Sequence, residues 1–291
     1  MSVRSAREAV AALAGGCDVL DVKEPSRGSL GMADVTTIKA IVELAQAHDP
    51  VVPVSIALGE AAEWPAQRQS PGLPPGIAYA KLGTANLPCG DQAASQFSSV
   101  RRRIESDIVT DCASSAPRAT GFAPAPRWIA VAYADFELAC APSPEEVIEL
   151  ASACGCAGLL VDTFTKDHKR LIDWLDDDRL ISLAAQSRSL GLTFALAGRL
   201  QAGDLSRVLQ ACPDIIGIRS AACRAGQRTG SIDAEALRAF RLALQGAAAS
   251  QFRSVDFSPR VASVNTIPSH APDNAKQSFG VCIPERSLGA S

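Results

Sequence analysis

Residues 128–164, WIAVAYADFELACAPSPEEVIELASACGCAGLLVDTF, decide how the chain is read. Residues 128–135 (WIAVAYAD) and 158–164 (GLLVDTF) are short and nearly continuous in apolar character, as parallel strands buried on both faces are. Residues 144–154 between them read as a helix. Similar runs recur at 18–23 (DVLDVK), 52–58 (VPVSIAL), 77–83 (IAYAKLG), 192–198 (LTFALAG) and 215–221 (IIGIRSA). Further helices are expected at 33–47 and 180–190, the second with Gly191 as its C-cap. Alternation of strand and helix marks an α/β fold. At 291 residues the chain suits a TIM-type (β/α)8 barrel, a fold that runs to about 250 residues.

The strand count is seven, and a helix at 6–14 precedes the first run. In a barrel each helix follows a strand, so a strand is required before Arg4. Residues 18–23 are therefore assigned to the second strand, and the first is expected to be truncated or absent. An upstream start adding roughly five to ten residues would span a barrel wall at the rise of a strand; the competing expectation is that tail residues near 279–283 fill the gap. Two connections are irregular, 64–76 (WPAQRQSPGLPPG) and 112–126 (CASSAPRATGFAPAP). The domain reading is a catalytic barrel over 1–245 and an irregular or disordered tail over 246–291.

Net charge is -3 and the isoelectric point about 5.7, which argues against a nucleic-acid or anionic-membrane partner. The dense basic run Arg101-Arg102-Arg103 is read as a solvated helix face. No apolar run approaches the roughly 18 residues of a membrane span, and the N-terminus does not read as a signal peptide, so a cytoplasmic location is expected. Nine cysteines are expected as reduced, mostly buried thiols. Cys154 and Cys156 lack a second pair or a nearby histidine, so no metal site is expected.

Barrel enzymes carry their reactive groups at the C-terminal strand ends. Only six of the 28 basic residues are lysines, so a lysine at such an end is unlike the chain's ordinary surface charge. The ends supply Asp21 and Lys23, Lys81, Asp135, Asp162 with Lys166 close behind, and Arg219 with Ser220. Side chains two apart on a strand share a face, so Asp21 and Lys23 both face the barrel mouth. Alternate strands feed one interior layer, which brings Lys81 and Asp162 toward them. Buried lysines require carboxylate partners. A lysine whose pKa falls from about 10.4 exposes a neutral amine that attacks a carbonyl, and the iminium so formed acidifies the neighbouring C–H. Snorkelling lysines and loop-capping aspartates, Asp135 and Asp162 among them, are the structural alternative. The loops at 197–199 and 217–221, with Gly198, Gly217, Arg219 and Ser220, are candidates for a phosphate. Asp135 is the further candidate for substrate contact. Neither a Walker-type lysine motif nor a dinucleotide fingerprint occurs, so no cofactor is implied. The expected partner is a small phosphorylated molecule, and a homo-oligomer is compatible with the reading.

Asp21-Val22-Lys23-Glu24-Pro25 followed by Gly28-Ser29-Leu30-Gly31 resembles the (5-formylfuran-3-yl)methyl phosphate synthase family of methanofuran biosynthesis. Supporting pieces are 79–83 (YAKLG), 132–135 (AYAD), Asp162-Thr163 with Lys166, 195–198 (ALAG) and 217–223 (GIRSAAC). The resemblance implies a cofactor-free lyase that joins two glyceraldehyde 3-phosphates, losing one phosphate and two waters. It implies Lys23 as the Schiff-base residue and Lys81 as proton acceptor, with Asp21, Asp162 and Lys166 assisting proton transfer and amine activation. Two alternatives remain open: another lysine-imine aldolase acting on sugar phosphates, and a non-catalytic barrel that binds a phosphorylated metabolite.

Overall fold

The computed structural model describes residues 1–66, 72–112, 125–166, 169–227 and 230–253. Eight strands form one curled parallel sheet in chain order. They are β1 (Ser2–Val3), β2 (Leu20–Val22), β3 (Val54–Glu60), β4 (Tyr79–Gly83), β5 (Arg127–Tyr133), β6 (Gly158–Asp162), β7 (Thr193–Leu196) and β8 (Ile215–Ile216). The helices are α1 (Ala6–Ala14), α2 (Val35–Gln46), α3 (Asp91–Cys112), α4 (Pro144–Ala153), α5 (Leu171–Trp174), α6 (Asp177–Ser189), α7 (Leu205–Val208) and α8 (Ala234–Arg253).

The first strand, expected to be truncated or absent, is not absent: it is two residues long, and Ser2 pairs with Asp21 and Val3 with Val22. A strand of two residues has no run or alternation to betray it; its partners define it. The Ser2 N–H also donates to the Ile218 carbonyl at 3.0 Å, which links the two ends of the sheet. Ser5 then caps α1 by accepting the Glu8 N–H. The seven expected runs each overlap a strand; β3 continues two residues past 58, β5 begins one residue before 128, and the other five strands lie within their runs.

Alternation sorts the side chains into two layers. Ile56, Ala130, Ala132, Leu159 and Leu196 face outward into the helix–sheet core with Ile41, Val147 and Leu183. Ala57, Ile129, Val131, Leu160 and Ala195 face inward. Helix ends follow local chemistry. Pro144 opens α4 behind a reciprocal Ser143–Glu146 capping box. Gly191 follows α6 at φ +70°, where glycine is unstrained. Helix α8 continues past Gly246 to Arg253. The remaining tail with residues 279–283, and the linker at 113–124, lie outside the described residues. Of the seven cysteines whose side chains are described only Cys156 and Cys223 are buried, and all seven are free thiols, so the mostly buried expectation does not hold among them. No helix among the described residues is long and apolar enough to cross a membrane.

Candidate active site

The β2 sequence sends Leu20 and Val22 outward into the core. Asp21 and, just past the strand end, Lys23 therefore fall on the opposite face. From there Lys23 reaches β6: its Nζ lies 3.7 Å from Asp162 Oδ2. Asp162 Oδ1 accepts from Lys166 Nζ at 3.0 Å. Lys166 also donates to the carbonyl and hydroxyl of Thr163. On β4, Lys81 forms a close ion pair with Asp21. Asp21 in turn accepts from the Ser2 hydroxyl at 2.8 Å, so the short β1 holds one side of the cluster. Five expected residues are thus brought together, with Lys23, Lys81 and Asp162 each at most 8% exposed.

Three ammonium groups face two carboxylates. Burial weighs most on Lys23, and Lys81 and Lys166 push the same way; Asp162 and Asp21 oppose them, and the pKa falls from 10.5 to about 8. Burial alone would raise Asp21, but the ammonium groups of Lys81 and Lys23 outweigh it and hold the carboxyl at about 2. Asp162 is likewise held well below the ordinary carboxylate range by Lys166 and Lys23, against the pull of burial. Both aspartates are therefore charged at neutral pH, while Lys23 is within reach of its neutral form.

The cluster opens into a cavity that Gly198, Arg199, Gly217, Arg219 and Ser220 also line. Two expected contacts sit differently. Asp135 does not line this cavity: Oδ1 accepts from the Phe164 N–H at 2.6 Å, and Oδ2 from the Thr165 N–H at 2.8 Å and the Thr165 hydroxyl. It fastens the loop that carries Lys166. The Arg219 guanidinium is bidentate with Glu8, at 2.8 and 3.1 Å, and donates to the Ser2 carbonyl. Its charge is already matched by a carboxylate. Among the described residues no three His, Cys, Asp or Glu side chains group as metal ligands.

Sequence reasoning missed Glu60 and Tyr133. Glu60 ends β3, buried, and accepts from the Tyr133 hydroxyl and from the Ala85 N–H. Burial, with Glu63 adding to it, pushes its carboxyl up to about 7 against those two hydrogen bonds. A Cβ on Gly83 would lie 2.0 Å from Glu60 Oε2, so glycine is required for this approach. The one signal in the sequence was an acidic residue two positions after the apolar run at 52–58, behind Gly59.

The 4-HFC-P synthase family profile matches residues 1–241. The (5-formylfuran-3-yl)methyl phosphate synthase of Methanopyrus kandleri is 33% identical over 81% of this chain and 94% of its own length. That of Methanothermobacter thermautotrophicus is 31% identical over 79% and 92%. Among solved structures, thiamine phosphate pyrophosphorylase from Pyrococcus furiosus aligns with a TM-score of 0.47 at 13% identity, covering 83% of this chain and 90% of that one. With an expected lysine–aspartate cluster assembled in one cavity and a family match across most of its length, the chain belongs to the 4-HFC-P synthase family of enzymes, whose curated relatives bear the name (5-formylfuran-3-yl)methyl phosphate synthase.

Proposed function

We propose that this chain is a lyase that condenses two glyceraldehyde 3-phosphates into (5-formylfuran-3-yl)methyl phosphate through an imine on Lys23. The observation that carries the reading is Lys23 itself, buried at a strand end between Asp162 and the Lys81–Asp21 pair, with its pKa lowered to about 8. The neutral amine adds to the aldehyde carbon and water leaves. The iminium draws electrons from the adjacent C–H, whose proton passes to a neighbouring base. Lys81, held by Asp21, is assigned that proton transfer: its ammonium gives a proton to the departing water, and the neutral amine so formed takes the C–H proton; Asp162 and Lys166 relay protons to and from the nitrogen. Two trioses minus one phosphate and two waters balance the product, with no net oxidation. The phosphate end is assigned to the loops after β7 and β8, where Gly198, Gly217 and Ser220 border the cavity. We also read the sheet as a closed (β/α)8 barrel, supported by the Ser2–Ile218 hydrogen bond.

Mass spectrometry of the product formed from glyceraldehyde 3-phosphate tests the function. A furan aldehyde phosphate with one equivalent of released phosphate supports it. A six-carbon sugar phosphate without phosphate release would replace it with an ordinary aldolase. Binding without turnover would leave a non-catalytic barrel.

The rate of imine formation should rise with pH through about 8, as Lys23 loses its proton. The same group makes stability rise with pH between about 8 and 10.5, because there the unfolded chain binds the proton that the folded one has released. Stopped-flow trapping and thermal melts across that window read both; a flat rate profile would remove the free-amine step.

Lys81→Ala should still be trapped by borohydride yet release no product, because proton transfer follows imine formation. Loss of trapping would instead make Lys81 an activator that lowers the Lys23 pKa.

A further inference from the structure

We propose that Arg199 supplies the guanidinium that takes the phosphate of the aldehyde bound at Lys23, an assignment that rests on the phosphorylated-aldehyde reading above. Position comes first. Arg199 stands in the loop directly after β7, where barrels hold phosphates, and lines the same cavity as Lys23, Lys81 and Asp162. Availability comes second. The two candidate phosphate loops contain two arginines, and Arg219 is buried against Glu8 at 2.8 and 3.1 Å. Among the described residues Arg199 makes only a long contact from Nη1 to the Lys166 carbonyl, 3.4 Å, and its buried Nε meets no hydrogen-bond partner. A buried guanidinium donor without an acceptor is costly unless a ligand meets it. A phosphate monoester offers paired anionic oxygens that the planar guanidinium fork recognises.

Backbone geometry is the independent observation. Arg199 adopts φ +56°, in the left-handed region, directly after Gly198 at φ +108°. A side chain is rarely kept there unless its surroundings hold it, and such residues gather at binding sites. Here the turn is fixed from both sides. The Gly198 carbonyl accepts the Leu171 N–H at 2.9 Å, and a Cβ on Gly198 would lie 3.0 Å from Thr163 Cγ2 and 3.2 Å from Leu171 Cβ. The contact to the Lys166 carbonyl sets the guanidinium beside the segment whose Nζ pairs with Asp162. The Arg199 guanidinium and the amine cluster are thereby built onto one connected loop pair.

The test uses the full chain with Arg199→Gly, Arg199→Gln and Arg199→Lys, measuring binding of inorganic phosphate and of glyceraldehyde 3-phosphate by calorimetry. Arg199→Gly relieves the left-handed backbone, so it should melt at or above the wild-type temperature. It should nevertheless bind both phosphate compounds about 10- to 100-fold more weakly, the scale of a lost charged hydrogen-bond pair. Arg199→Gln should lose as much, and Arg199→Lys should recover part. Borohydride trapping supplies the second arm: the wild type should prefer glyceraldehyde 3-phosphate over glyceraldehyde, and Arg199→Gly should lose that preference. Unchanged phosphate affinity in a folded Arg199→Gly would overturn the assignment, as would equal weakening of trapping by both aldehydes. If wild-type Lys23 is trapped by neither aldehyde but phosphate binding falls in Arg199→Gly, the imine reading fails and the Arg199 assignment stands.

Discussion

Lys23→Arg is expected to reduce turnover on the order of 10⁴-fold or more, the scale on which loss of a covalent nucleophile acts. The substitution keeps a cation beside Asp162, 3.7 Å from the original Nζ, so the charge balance of the cluster survives. What is lost is the deprotonated form. An ammonium held at about 8 yields a usable fraction of amine at neutral pH, whereas a guanidinium stays protonated. Trypsin digestion after incubation with substrate and borohydride should place the wild-type adduct on the peptide containing Lys23, and the variant should carry none there. An adduct confined to Lys81 or Lys166 would move the covalent role. Appreciable activity in Lys23→Arg would exclude imine chemistry at this position.

Asp162→Asn should be the most damaging change among the carboxylates, in stability as well as in rate. Asp162 is 2% exposed and serves two lysines at once, Lys23 and Lys166. Removing one partner of a buried ion pair costs about 3–5 kcal/mol. The cost should be greatest below pH 8. On the acid side of a Lys23 pKa now moved below 8, the ammonium has lost the carboxylate that most favours the charged form, and the penalty shrinks as pH rises from there to 8. Toward pH 9 the amine is neutral and the penalty stays at its lower value. Loss of that carboxylate also lowers the Lys23 pKa further, so the pH midpoint of imine formation should move down. Turnover should nevertheless fall, by about 10²–10⁴-fold, because proton relay to the nitrogen is removed. Melts at pH 7 and pH 9, with the trapping rate across pH, check all three outcomes. A variant with wild-type melting temperature and unchanged midpoint would show that Asp162 does not govern Lys23.

The family and the lysine–aspartate cluster were legible because both are written locally. The DVKEP and GSLG pieces are contiguous, and lysines are rare enough in this chain for strand-end lysines to stand out. Face alternation then predicted that Asp21 and Lys23 share a side, and the geometry agrees, with Lys81 on Asp21 and Lys23 on Asp162. The roles of Asp135 and Arg219 were not legible. Asp135 lies beside its strand partner's loop only after β5 and β6 pair, and there its oxygens meet backbone donors 29 and 30 residues away. Arg219 meets Glu8 across 211 residues.

By itself, then, the sequence determined the α/β class, the order of strands and helices, and the side chains at each strand end. Those depend on apolar periodicity, caps and short motifs, all of which act over a few residues. The tertiary structure alone decided that Ser2–Val3 is a strand, since two residues become one only through hydrogen bonds to β2 and to Ile218. It also decided which cations are matched by buried carboxylates, and that Glu60 meets Tyr133. Such pairings are set by how the curled sheet brings distant strand ends together. A carboxylate's partner, and with it the pKa of the group, is a property of that arrangement rather than of the neighbours in sequence.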